Sequence, residues 1–373
     1  MKAYLDNSAT TPPTQAVIAA MTACMREGWH NPSSVYAPAV EALRQVRACR
    51  EAILEKLGAP GEKLYFTSGG TEANNLAILG AVERMRGKQI VAVNATEHPS
   101  VLAAFDRLRE MGHDVRILPV DGEGALDWAA LEEALNAGAS LVSCMQVNNE
   151  TGAVLDVKRL RRTVNGRALI HVDGVQGFLR LPFHLEDVDM YTLSAHKIHG
   201  PKGVGALAVK RGVRLKAQHV GGGQEENLRS GTENTPGIAG LFAAVKEMNP
   251  SGLMEKKLHM VEAFQKAVPE AIVNGPAPEK GAPHILNMSF PGVRGETMLH
   301  ALEAEGVYAS TGSACSSKKR KVSAVLTAMG LSPERAECAL RFSLSPHTAM
   351  EEIDYAADVL GRVWPQLRRF QRR

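Results

Sequence analysis

The sequence predicts an α/β protein, with a large domain built on a mostly parallel sheet covered by helices and a smaller α+β domain beside it. Two observations carry this expectation. Short apolar runs rich in β-branched residues alternate with longer stretches of helical period as far as Gly240, and a repeated strand–helix–strand order is how parallel neighbours are connected. Past Gly240 that alternation stops and a helical stretch is followed by short, scattered strand-like pieces.

Taken in order, a helical stretch at 37–57 precedes the first strand at 63–67. A helix over 72–86 leads into a strand at 89–94, and helices over 100–111 and 128–137 lead to the strand at 141–147. Strands at 168–172, 189–193 and 205–209 complete the series. In the second part, a helix over 253–268 precedes strand-like pieces at 285–290 and 340–344, and a final helix starts at Ala349. Pro and Gly interrupt both periods at Asn249-Pro250-Ser251-Gly252. The expected division is therefore a large domain over 13–249 and a small one formed by 1–12 and 250–373.

Composition narrows the function classes. A chain of 373 residues, 45% hydrophobic and 22% charged, can bury a sizeable core. Its net charge of +3 is too small to imply direct nucleic-acid binding. Five scattered cysteines without a CxxC pair argue against a disulfide framework or a structural zinc site. The opening MKAYLDNSATTP lacks the pattern of a signal peptide, and no apolar run approaches the ~20 residues that span a bilayer. The expectation is a cytoplasmic protein with reduced thiols and no membrane partner.

Ligands of open α/β sheets bind beyond the carboxyl ends of the strands, and polar residues cluster where the apolar runs stop. The first run enters Ser68-Gly69-Gly70-Thr71-Glu72, small residues opening a helix, whose free N–H groups and positive dipole end suit a phosphate; an ordinary capped helix has the same pattern. The next ends at Thr96-Glu97-His98-Pro99, and another at Asn148-Asn149-Glu150-Thr151-Gly152. Asp173 follows a buried-looking strand with Gln176 one helical turn on. A carboxylate there needs a partner, since burying it unpaired costs several kcal/mol, and a protonated pyridine nitrogen would serve. Then comes Ser194-Ala195-His196-Lys197, followed by a glycine-rich loop holding Lys202. A lysine just past a strand can form an imine with an aldehyde cofactor. Lys202 is the rival, and its place inside the loop favours Lys197.

These motifs, read together, resemble those of a known family. YLDNSATTP (4–12), SGGTEANN (68–75), ATEHPSV (95–101), VNNETG (147–152), HVDGVQ (171–176), SAHKIHGPKGVG (194–205), RSGTEN (229–234), STGSACSS (310–317) and RFSL (341–344) look like a cysteine desulfurase of the NifS/IscS type, in the class-V aminotransferase family of pyridoxal-phosphate enzymes. The resemblance implies the PLP-dependent transferase fold type I, aspartate-aminotransferase-like. It implies that Lys197 holds pyridoxal 5′-phosphate and moves protons, that Asp173 keeps the pyridine nitrogen protonated, and that His98 stacks on the ring. Gln176 would bond the phenolic oxygen. Gly70, Thr71, Ser194 and His196 would bind the phosphate, with Thr232 reaching in from a second subunit of a homodimer. Arg341 would clamp the substrate carboxylate, assisted by Asn149. Cys315 would take sulfur from L-cysteine as a persulfide, leaving L-alanine.

Cys315 sits in a Ser/Gly-rich segment, unlike Cys24, Cys49, Cys144 and Cys338, which read as small buried hydrophobes. The basic run Lys318-Lys319-Arg320-Lys321 behind it can favour the thiolate, steer an acidic acceptor, or serve only as a solvated tip. The chain departs from the family pattern at His30-Asn31-Pro32-Ser33-Ser34-Val35-Tyr36, where relatives show Gly first and His at the seventh position, and at Ser345 in place of Gly. Neither removes a catalytic group, but both leave the sulfur acceptor open between an iron–sulfur scaffold protein and a tRNA-thiolation enzyme. A selenocysteine lyase, another class-V enzyme or a non-catalytic sulfur-transfer scaffold are the competing readings. Cys315 speaks against an aminotransferase, and the intact Lys197, Asp173 and His98 against a scaffold.

Overall fold

The computed structural model describes residues 1–312 and 322–371. Cys315 and the basic run Lys318, Lys319, Arg320 and Lys321 lie outside the described residues.

Strand β1 (Ala3–Tyr4) and helices α1 (Gln15–Arg26) and α2 (Ala37–Lys56) come first. The chain then alternates through β2 (Lys63–Thr67), α3 (Gly70–Val82), β3 (Ile90–Asn94), α4 (Pro99–Glu110), β4 (Asp114–Leu118), α5 (Trp128–Asn136), β5 (Ala139–Met145), α6 (Val157–Val164), β6 (Leu169–Asp173), β7 (Met190–Ser194) and β8 (Gly205–Val209), and closes this part with α7 (Thr235–Glu247). The strands form a seven-stranded sheet in the order β2-β8-β7-β6-β5-β3-β4. All pairs are parallel except the two made by β8. The β7–β8 connection, residues 195–204, is too short for a crossover, so β8 must return antiparallel. β2 pairs antiparallel with β8 in turn, and so points the same way as β7. The carboxyl ends of β2, β3, β5, β6 and β7 therefore share one edge.

The central strands are buried along their length, as their Val, Ile and Leu runs demand. β4 was not among the expected strands. It is the sheet edge, and of Asp114–Leu118 only Leu118 is buried, so the alternation that marks a strand is masked by charge.

The remaining elements are α8 (Leu253–Ala267), β9 (Ile272–Asn274), β10 (Ile285–Ser289), α9 (Gly295–Ala304), β11 (Val307–Tyr308), α10 (Ala324–Ala328), α11 (Pro333–Glu337), β12 (Ala339–Ser343) and α12 (Met350–Gln371). β12, β10 and β9 form an antiparallel sheet, and β1 pairs in parallel with β11. Phe342 meets Phe264 and Phe290 edge to face at centroid distances of 4.8 and 6.1 Å, in a core that also takes Ala3 and Leu5 from the N-terminus. Among the described residues, no helix is long and apolar enough to cross a membrane.

Candidate active site

The shared carboxyl edge gathers the expected residues. α3 begins at Gly70, straight after β2, and its first N–H groups have no intrahelical acceptor. Gly69, ahead of it, has φ 154° and ψ −177°, a conformation closed to residues with a side chain. Apart from its chain neighbours, no heavy atom of the described residues lies within 4 Å of where its Cβ would stand, so the helix start faces open space among them. Gly70 is the opposite case. A Cβ there would lie 2.8 Å from Val175 and 3.7 Å from Ser194, which places the helix start against the ends of β6 and β7.

Asp173 is the last residue of β6, 5% exposed. Its Oδ1 accepts the Val175 N–H at 2.9 Å and its Oδ2 the Asn74 side-chain amide at 2.8 Å. Asn74 also donates to Ser100 Oγ at 3.0 Å, and Ser100 Oγ lies 2.8 Å from His98 Nδ1. Asp173 and His98 are thus joined through two buried side chains. His98 caps α4, where its Nδ1 accepts the Ser100 N–H, so the proton of the neutral ring sits on Nε2. Burial holds its pKa below the usual value and outweighs the nearby Asp173, with Lys197 adding to the fall.

Lys197 closes a short 3₁₀ turn directly after β7. Its Nζ donates to Ser8 O at 2.5 Å and Ala9 O at 2.9 Å. Ser8 O also accepts from Gln176 Nε2 at 2.9 Å, so one N-terminal carbonyl ties the lysine to the glutamine that follows Asp173. His196 Nδ1 lies 3.2 Å from Thr10 Oγ1, and burial and then Lys197 and Lys202 lower its pKa to about 4.

Arg341, in β12, is 5% exposed. Its Nη1 donates to Asn149 O at 3.0 Å and its Nη2 to Asp6 Oδ1 at 2.7 Å. Beside it, Glu150 is buried, and its Oε2 accepts the Ser323 hydroxyl at 2.5 Å. A Cβ on Gly312 would stand 2.8 Å from the same oxygen. Glu150 therefore touches the described residues on both sides of the segment that holds Cys315. Thr232 is exposed on the loop before α7.

The other cysteines behave as small hydrophobes. Cys24, Cys49 and Cys144 are buried and Cys338 is half-buried. Burial pushes the Cys49 thiol up to about 12 and Cys144 well above its usual value, which leaves both inert.

Sequence reasoning assigned no role to Asp6, Ser8, Asn74, Ser100 or Glu150. All five lie inside motifs that it quoted, and Asp6 and Ser8 reach the site only because 4–12 runs between β7 and β12. The residues fit pyridoxal 5′-phosphate in chemistry and place. Open space before α3 suits a phosphate, a buried carboxylate suits a pyridinium, and the Lys197 amine, placed just past β7 beside both, suits an aldehyde.

Comparison with known proteins agrees. The sequence profile described as Aminotransferase class-V matches residues 3–356. The chain is 37% identical to a protein named cysteine desulfurase IscS from Dictyoglomus turgidum, over 98% of this chain and 95% of that one. It is 38% identical to cysteine desulfurase IscS 1 from Archaeoglobus fulgidus, over 98% and 97%. Among solved structures, a NifS-like protein superposes with a TM-score of 0.90 at 33% identity, covering 98% of this chain and all of that one, 100%. SspA in complex with cysteine superposes with a TM-score of 0.83 at 32% identity, covering 93% and 100%.

Proposed function

Because the chain belongs to the aminotransferase class-V family, we propose that it is a pyridoxal 5′-phosphate-dependent cysteine desulfurase. It converts L-cysteine to L-alanine and leaves the sulfur as a persulfide on Cys315. The carbon–sulfur bond of the substrate breaks, a sulfur–sulfur bond forms, and the thiol proton ends in the alanine methyl group. The observation that carries this reading is the convergence of Lys197, Asp173 and His98 on the edge that Arg341 faces.

When bound, the cofactor supplies an electron sink conjugated to the substrate nitrogen. Lys197 anchors it and then takes and returns the proton at the substrate α-carbon. Asp173, held by Asn74 and Val175, would pair with the ring nitrogen and keep it charged. His98 carries its proton on Nε2 and would stack on the ring. Gln176 would bond the phenolic oxygen, and Gly70, Thr71, Ser194 and His196 would hold the phosphate. Arg341 and Asn149 hold the substrate carboxylate.

The active form is a homodimer in which Thr232 completes the phosphate site of the other subunit. Trp29, Val35 and Tyr36, exposed at 65%, 94% and 50%, give an apolar segment suited to burial against a second copy. The persulfide passes to an acceptor protein, an iron–sulfur scaffold or a tRNA-thiolation enzyme, in the cytoplasm, where thiols stay reduced.

The test is single-turnover chemistry with L-cysteine. Equal amounts of alanine and of protein-bound sulfane sulfur, mapped to the peptide containing Cys315, are expected. Alanine without protein-bound sulfur would overturn the persulfide assignment, and a greater preference for selenocysteine would favour the lyase.

A further inference from the structure

We infer that Asp6 is a positioning residue for substrate binding: it fixes the plane of the Arg341 guanidinium so that its free edge meets the carboxylate of L-cysteine. The inference rests on the proposed role of Arg341.

Arg341 is planar and carries five N–H donors in a fixed fork. Asn149 O takes Nη1 and Asp6 Oδ1 takes Nη2. Two anchors on one rigid plane fix its orientation, and Nε remains buried without a partner among the described residues. An orphaned, buried, charged donor costs free energy unless a ligand meets it. The edge formed by Nε and the second Nη2 hydrogen is the one that grips a carboxylate side-on with two parallel hydrogen bonds. Asp6 and Asn149 thus occupy the fork where the substrate is not needed and leave it open where it is.

Asp6 can do this because its own backbone is fastened. It bridges Ser343, which lies two residues beyond Arg341 on the same face of β12. The Ser343 N–H donates to Leu5 O at 2.7 Å, Asn7 Nδ2 donates to Ser343 O at 2.9 Å, and the Ser8 N–H donates to Ser343 Oγ at 2.8 Å. Tyr4 adds a hydroxyl bond to Thr10 O at 2.8 Å. The Asp6 carboxylate therefore stands on a stitched platform rather than a loose terminus. The same platform offers Ser8 O and Ala9 O to Lys197, which couples the distance between substrate clamp and cofactor lysine to one rigid segment.

The test separates geometry from charge. Asp6→Asn keeps the length and the acceptor oxygen but removes the charge; Asp6→Glu keeps the charge and lengthens the arm by a methylene. With alanine formation under excess reductant as the assay, Asp6→Glu is expected to raise KM for L-cysteine about tenfold with kcat within about twofold. Asp6→Asn is expected to stay within about threefold of wild-type KM. Cofactor absorbance and thermal midpoint should remain near wild type in both, which a merely structural role would not predict. An unchanged KM in Asp6→Glu overturns the inference. So does a rise in Asp6→Asn equal to or above that in Asp6→Glu, or a fall in kcat and cofactor content alongside KM. Arg341→Ala is run in parallel: if its KM does not rise, the proposed substrate clamp fails, whereas a rise there with none in Asp6→Glu sinks only the role of Asp6.

Discussion

Replacing Ser323 with Ala withdraws two hydrogen bonds at once. Its Oγ donates to Glu150 Oε2 at 2.5 Å and accepts the Leu326 N–H at 3.1 Å as the cap of α10. Losing the cap costs about 1 kcal/mol. Losing a hydrogen bond to a buried carboxylate costs about 1.5–3 kcal/mol, provided the carboxylate stays ionised. Glu150 has an escape from the second cost, which is to take up a proton. Burial already raises its pKa above the usual 4.5, against the opposing pull of Ser323 and Arg341. Between that usual value and the raised one, the folded protein holds a proton that the unfolded chain has released, so stability falls as pH rises through the window. Removing Ser323 pushes the upper edge of that window higher. The expected loss is about 2.5–4 kcal/mol at a pH above that window, where Glu150 is ionised, and smaller at a pH below it, where the carboxyl is neutral. Urea unfolding at both pH values measures it. In a Glu150→Gln background the same substitution should cost nearly the same at either pH, because the titrating group is gone. Equal losses above and below the window in the wild-type background would refute the reasoning, since they would mean that Glu150 is not the group released by Ser323.

Three further outcomes are expected. Borohydride reduction of the holoenzyme should label Lys197, and Lys197→Ala should abolish the label and the activity; a label on Lys202 would reverse the assignment. Cys315→Ala should retain cofactor and still shift its absorbance with L-cysteine, yet release no sulfide under reductant, and near wild-type turnover would remove Cys315 as the nucleophile. Lys257 is buried on α8 with its pKa lowered by burial from 10.5 to about 8, so the unfolded chain binds the extra proton between those values and wild-type stability rises with pH there. Lys257→Met should therefore be more stable than wild type at pH 7 and lose that advantage between pH 8 and pH 10.5, as followed by thermal unfolding; a constant difference across that range would exclude the buried charge as its cause.

The parts of the fold legible in the sequence were those with local causes. Runs such as 205–209 and 37–57 carry their period within themselves, and the structure places a strand and a helix there with ends shifted by a residue at most. β5 is displaced, Ala139–Met145 against an expected 141–147, because the apolar composition continues into the turn at Val147. The two-residue strands β1 and β11 have no local signal. They exist because Ala3 and Val307 meet across the fold. The candidate site divides in the same way. Asp173 and Lys197 could be read from their places at strand ends, whereas Asn74 and Ser100 matter only through a chain of contacts between α3, α4 and β6. Asp6 stands 335 residues from the arginine it holds, and no window along the sequence contains both.

That separation has a consequence for how the protein comes into being. Asp6 meets Arg341, and Ser8 meets Ser343, across nearly the full length of the chain. A ribosome delivers the N-terminal segment first, and its partners in β12 emerge only after the whole seven-stranded sheet has been made. Until then Asp6, Asn7 and Ser8 lack their fastening at Ser343, and the segment that offers Ser8 O and Ala9 O to Lys197 is held at Thr11 and Pro12 by His196 and His199. The nascent chain can fold its large sheet on the ribosome, in keeping with domain-wise folding during synthesis, but it cannot assemble the proposed substrate clamp at Arg341. If Arg341 holds the substrate as proposed, competence to bind L-cysteine arrives at the end of translation, when a loop spanning nearly the whole chain closes.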